Sequence, residues 1–388
     1  MEDDAYIMTS RNQAPSILIQ AFIAVLTLSA CSGPELHRGF RAEKPVLERQ
    51  WSISTRSRET LAGERGVEFS NPLLWENTIL FGTSEAGLVA LYPNLGGQVR
   101  WVLPVSGGVI SELTREGGEI YFGGADGFVY AVNAETGRVI WRYDIRNPKI
   151  SKPTIQGGKL YVTTSDDAVY ALEASTGKWL WHYKRKTSGA ASIHAASQPW
   201  TDGTQVLAGT SDGYLVSLAS NDGRLIAEKK LTSKSKFTDV DAGIVQDGQI
   251  LYVPSYDGSL YALKRSGLEI LWKYEAGGTR AVTIDGEKLI LASSDGAIHT
   301  LQKNSGKLLW KFQMDGGSPT AALATDRYIL VGSSYQYLYA IDKRSGELKD
   351  RWNSGYGSGF SGGMAYDPAQ GLLYAVSGAA NLYSFKVR

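Results

Sequence analysis

The residues that could do chemistry are few, and their spacing argues against a catalytic constellation. Four histidines (His37, His182, His194 and His299) and a single cysteine, Cys31, are scattered over 388 residues. No two histidines are spaced as ligands on one element, and a lone cysteine makes neither an internal disulfide nor a cysteine-ligand zinc site. No phosphate loop appears, and no nucleophile elbow on a strand-to-helix turn. Aspartate recurs in one setting, directly before glycine: Asp126, Asp212, Asp257 and Asp295. Asp-Gly is hairpin-turn chemistry, because glycine accepts positive φ and aspartate bonds its own backbone. Turn geometry accounts for these residues without calcium. The expectation is therefore no metal, no cofactor and no enzyme.

Those turns sit inside a repeated phrase. Residues 125–141 read ADGFVYAVNAETGRVIW, and close copies lie at 165–181, 256–272, 294–310 and 336–352, with weaker ones at 85–101 and 211–227 and a half-copy at the C-terminus. The hydrophobic position three after the turn glycine falls at Ala90, Tyr130, Tyr170, Val216, Tyr261, His299, Tyr339 and Tyr383. A period of roughly forty residues built of short alternating strands means a propeller. Each phrase holds two strands, and a second pair lies between phrases, so the expected fold is all-β with eight four-stranded blades over 46–388. Closing tryptophans (Trp141, Trp181, Trp272, Trp310, Trp352) recur at one position and are expected to wedge between blades as core. The last copy has no closing strand, while Leu47–Ile53 is an orphan strand containing Trp51. That strand is predicted to complete the last blade and remove the exposed edges.

The start of the chain carries an address. An apolar run from Ile17 to Leu28 leads into Leu28-Ser29-Ala30-Cys31. That is the layout of a bacterial lipoprotein signal, and the run is too short to span a bilayer. Residues 1–30 are expected to be the signal, with Met8 the better initiator because Glu2, Asp3 and Asp4 are acidic where a positive front belongs. Cys31 would be lipidated, with 31–45 a tether. Ser32 rather than Asp after the cysteine favours the outer membrane. The net charge of +1 gives no general case for nucleic acid.

The phrase Asp-Gly-x-φ-Tyr-Ala, followed by Thr/Ser-Gly and Trp, resembles the PQQ-like quinoprotein repeat. Enzymes of that fold hold a quinone and calcium, but the vicinal cysteine pair of their large alcohol dehydrogenases is missing here. A lipoprotein signal followed by a propeller of this length resembles the BamB family of outer-membrane assembly factors more closely. That family has an Asp-Val-Asp element before a blade, matched here by Thr238-Asp239-Val240-Asp241-Ala242. The resemblance implies docking of this segment, and of the loop one blade earlier, on a POTRA domain of the barrel-assembly protein. In the earlier loop Ser197-Gln198-Pro199 sets the register. It places Ile193 and Ala191 at two leucine positions and His194 at an arginine position, so two of the three depart from the family's pattern.

The residues point to the same region independently. The two longest steps of the repeat flank it, and extra loop length on a rigid scaffold commonly serves binding. It is also basic: Lys184, Arg185, Lys186, Lys229, Lys230, Lys234 and Lys236. Such a rim is either a solvated surface or a patch that steers an acidic partner. Asp239 and Asp241 either cap a turn or face a partner arginine. The expectation is a lipid-anchored, non-enzymatic scaffold on the periplasmic face of the outer membrane. Direct binding of unfolded barrel strands by β-augmentation is a further expectation. The alternatives are a generic envelope-binding propeller for polysaccharide or another protein, and a quinone-dependent oxidoreductase.

Overall fold

Alternating strand formers on either side of each Asp-Gly turn pair into antiparallel hairpins, and two hairpins make one blade. The computed structural model describes residues 37, 39–54, 70–109, 111–185, 196–232, 234, 238–278 and 280–388. The expected signal and Cys31 lie outside these residues. Eight four-stranded antiparallel sheets form the blades. They run Leu73–Leu103, Thr114–Asp144, Thr154–Lys184, Trp200–Lys230, Val245–Tyr274, Thr283–Gln313 and Leu323–Asn353 as blades 1 to 7. Blade 8 is Phe360–Val387 completed by the N-terminal strand Leu47–Ser54. The first strand of a blade touches the first strands of its neighbours, as Thr154–Gln156 does on both sides, so first strands line the axis.

The predicted closure is present. Leu47–Ser54 pairs antiparallel with Asn381–Val387, with Leu47 opposite Val387 and Ile53 opposite Leu382. The order signal was absent from the sequence just before this strand, yet the structure pins that stretch. The His37 N–H donates to Asp315 Oδ1 at 2.8 Å, and its ring stacks on Phe312 at 5.0 Å. Val46 and Leu47 both donate their N–H groups to Asp350 Oδ2, at 2.7 and 2.8 Å.

Core packing is repeated between blades rather than gathered in one centre. Middle-strand residues such as Ile120, Phe122, Val132 and Leu80 are fully buried, in clusters that join neighbouring blades. Tryptophans seal the outer part of six of the eight seams. Gly137, at φ 71, turns the chain where any Cβ would lie 2.6 Å from the Trp101 ring of the preceding blade. The same seat joins Trp141 to Gly177, Trp181 to Gly223, Trp272 to Gly306, Trp310 to Gly346 and Trp51 to Gly97. Trp101, Trp141 and Trp181 also donate from Nε1 to carbonyls of the next blade, at 3.2, 2.8 and 3.1 Å.

Two seams depart from the expected pattern. In blade 4 the tryptophan slot, opposite Ser217, is Ala227. In blade 7 the slot opposite Ala340 is Asp350, not Trp352. Trp352 lies two residues further on and packs on Tyr383 and Phe385 of blade 8, with ring centroids 4.9 and 5.0 Å away. The phrase misaligned there because blade 7 trades its seam tryptophan for the carboxylate that holds the N-terminal strand. A smaller correction applies in blade 1. Val89, opposite Phe81, is the equivalent of Tyr130, because Gly87 itself pairs with Thr83.

Candidate functional site

The repeated aspartates are structural. Tyr130 donates its hydroxyl to Asp126 at 2.5 Å, and Tyr261 donates to Asp257 at 2.7 Å, each four residues along the hairpin. His299 replaces that tyrosine in blade 6. Its Nε2 lies 3.0 Å from Asp295 and its Nδ1 2.9 Å from the Tyr274 hydroxyl. Burial pushes the His299 imidazole below its ordinary value, against the pull of Asp295. Among the described residues no group of three His, Cys, Asp or Glu side chains could hold a metal ion. Two stretches, Gly209–Gly213 and Gly359–Gly363, do spell Gly-x-Ser-x-Gly. Neither leads into a helix, and Ser211 Oγ donates to Asp167.

A second repeated device shows where the pattern breaks. Ser70, Ser111, Ser151, Ser197 and Thr320 precede the first strands of five blades. Each hydroxyl accepts the backbone N–H of the residue twelve further on, at 2.8–3.1 Å. In blade 5 that residue is Pro254, which has no N–H, and the hydroxyl slot is Ala242. In blade 6 the slot is Arg280, whose guanidinium donates to the Ser361 carbonyl of blade 8 at 2.6 Å. The break falls beside the Asp-Val-Asp segment.

That segment is threaded between two hairpin turns. Val240 donates its N–H to the Thr210 carbonyl at 3.1 Å, and Thr238 Oγ1 donates to the Ser211 carbonyl at 3.3 Å, both in blade 4. On the other side the Asp239 carbonyl accepts from Tyr256 N–H at 2.9 Å and Ser255 Oγ at 3.3 Å, in blade 5. Val240 is buried against Leu207, Leu215 and Leu251. Val240 holds the place beside Gly209 that Val109 and Ile150 hold beside Gly82 and Gly123.

The flanking carboxylates are inside. Asp239 is 1% exposed and Asp241 9% exposed. Asp241 Oδ1 has no hydrogen-bond partner. Burial pushes the Asp241 carboxyl up to about 7, and the charge of Asp239 adds to the rise, while its own backbone N–H and Arg280 oppose it. Asp167, in the turn of blade 3, is raised for the same first reason. Its carboxylate accepts the Ser211 N–H at 2.8 Å, which ties blade 3 to the turn beneath Thr238. Blades 3, 4 and 5 thus share one connected mouth.

Two of the basic residues at this rim are paired with carboxylates. Lys184 pairs with Asp166 at 2.5 Å. Arg185 pairs with Asp212 at 3.0 Å and Glu228 at 2.6 Å, and lies 4.0 Å over the Tyr214 ring. Lys234 donates to the Asp257 carbonyl at 2.5 Å. Lys230 lies 5.6 Å from the centroid of Tyr214, and Lys229 is half-buried on the same strand. Lys186, Lys236, Ala191, Ile193 and His194 lie outside the described residues. The connections 185–199 and 231–244 are longer than 104–113, 145–153 or 275–282, as the repeat spacing required. Arg280, Asp167 and Asp350 were missed in the sequence. Aligning the hydroxyl slot across blades would have exposed Arg280, since five blades spell it Ser or Thr.

The family model described as outer membrane protein assembly factor BamB matches residues 86–244 and 233–387. The structure is similar to that of BamB from Moraxella catarrhalis, with TM-score 0.73 and 19% identity over 88% of this chain and 100% of that one. It is also similar to the quinohemoprotein alcohol dehydrogenase ADHIIG from Pseudomonas putida HK5, with TM-score 0.71 and 12% identity over 88% of this chain and 76% of that one. A europium-containing methanol dehydrogenase matches with TM-score 0.68 and 12% identity, over 88% and 93% of the two chains. No curated protein matches the chain.

Proposed function

The chain belongs to the family of the outer membrane protein assembly factor BamB, and from that premise we propose that it is a non-enzymatic scaffold of β-barrel assembly. It is anchored through lipidated Cys31 to the periplasmic face of the outer membrane. It docks on a POTRA domain of the barrel-assembly protein through the mouth of blades 3 to 5. The observation that carries the placement is Asp241. A carboxylate left with an unpartnered oxygen in a buried setting weakens the fold, and such conflicts mark functional positions. The segment is presented by rigid hydrogen bonds on both sides, which keeps the entropy cost of docking low. Because Asp239 and Asp241 are buried, they act by shaping and charging this mouth from within.

The likeness to quinoprotein dehydrogenases supports the propeller fold and nothing further. Site-specific photocrosslinking in cells tests the reading. A crosslinker at Gln198 or Gly243 should trap the barrel-assembly protein, and one at Gly157, at the opposite end of blade 3, should not. Equal trapping from both ends would count against the placement.

A further inference from the structure

The cleft at the outside of blades 7 and 8 has a different chemistry from the rest of the rim. It encloses about 830 Å³ between the N-terminal stretch Phe40–Val46 and the blades, with Arg41, Lys44, Arg327, Lys349 and Arg388 against the single carboxylate Glu43 in its lining. Lys349 is paired with Glu347, and Arg388 with Glu48. Arg41, Lys44 and Arg327 form no ion pair among the described residues. Arg41, Lys44 and Arg327 are exposed. Arg327 is held over the Tyr328 ring at 5.3 Å. The wall is fixed at both ends, by His37 on Asp315 and by Val46 and Leu47 on Asp350.

The neighbouring surface changes character at the same place. Outermost strands of blades 1 to 6 expose aliphatic or aromatic side chains, among them Val99, Ile140, Trp179, Ile226, Leu271 and Leu309. The outermost strand of blade 8 exposes Glu48, Arg49 and Gln50 instead. Aliphatic edges do not hold anions, whereas arginine and lysine converging in a cleft do.

We propose that this cleft docks the phosphate of an anionic phospholipid headgroup at the bilayer surface. The inference rests on the reading that Cys31 carries the anchor. Phe40 follows Cys31 by nine residues, which reach at most roughly 30 Å. The cleft wall is thus part of the tether itself, and the periphery of blades 7 and 8 stays within range of the membrane. Three unpaired cations near an anionic surface each strengthen partitioning about fivefold at physiological salt. Contacts of this kind fix how the ring stands on the membrane, which a flexible lipid tether alone does not.

The compact unit Pro34–Arg388 contains the whole ring and its closing strand, so residues 33–388 carry their own fold. Co-sedimentation of that protein is measured with vesicles of phosphatidylcholine alone and with vesicles one third phosphatidylglycerol. Partitioning to the anionic vesicles only is expected, with a loss of roughly a hundredfold in R41A/K44A/R327A. R41E/K44E/R327E should lose more, and both variants should keep the parental melting temperature. A charge reversal of similar size on blades 2 to 4, R138E/K178E/R224E, should bind as the parent does. Equal partitioning of parent and R41E/K44E/R327E would overturn the proposal. So would saturation by soluble glycerol phosphate that anionic vesicles do not displace. The protein tested lacks Cys31 and needs no partner, so failure here is separate from failure of POTRA docking.

Discussion

Asp241 is the residue whose behaviour most directly reports the site. Its folded value of about 7 lies above the ordinary carboxylate range. The native state therefore holds a proton between about pH 4 and 7 that the unfolded chain has lost. Stability from this group is full below the unfolded value and falls as pH rises through that window. Asp241→Asn should remove this fall. Denaturant melts should show the variant more stable than the parent at pH 8, by about 1–4 kcal/mol, and nearly equal at pH 4. A parent less stable at pH 4 than its variant would contradict the assignment. The Asp-Val-Asp spelling was legible in the sequence through its resemblance. The burial of both carboxylates was not, because burial depends on the turns of two blades that meet only in the folded ring. For the same reason the ion pairs inside the basic run were not legible, as Arg185 between Asp212 and Glu228 shows.

Strands and seams were the most legible level. Alternation and turn residues located the hairpins, since both are local. Seam exceptions were not legible, because Asp350 occupies a tryptophan slot for the sake of residues some three hundred positions away. Two measurements follow. Asp350→Ala leaves two N–H groups of the closing strand without their acceptor and should cost about 2–4 kcal/mol, read by denaturant melts. Asp350→Asn, which keeps an acceptor, should recover part of that. Trp141→Ala, which empties the seat over Gly177, should cost about 3 kcal/mol. Its effect should exceed that of Ala227→Gly, because blade 4 never had the tryptophan. Deleting residues 45–55 removes the strand that closes blade 8 and should abolish the single sharp unfolding transition. A truncated chain that still melts at the parental temperature would show that the ring does not need it.

At the scale of the whole molecule, one ring carries two chemically distinct ends. Thr238–Ala242 lies where second strands of the blades end, at Gly209 and Ser255. The cationic cleft lies where a second strand begins, at Tyr328. The most direct measurement is binding of residues 33–388 to the isolated POTRA domains of the cognate barrel-assembly protein, with Asp239→Asn and Asp241→Asn together as the comparison. These substitutions keep shape and remove charge, so the fold is preserved. The account predicts saturable binding by the parent, weakened at least tenfold in the double variant at an undiminished melting temperature. A parent propeller that binds none of the POTRA domains, or a double variant that binds as tightly, would contradict it.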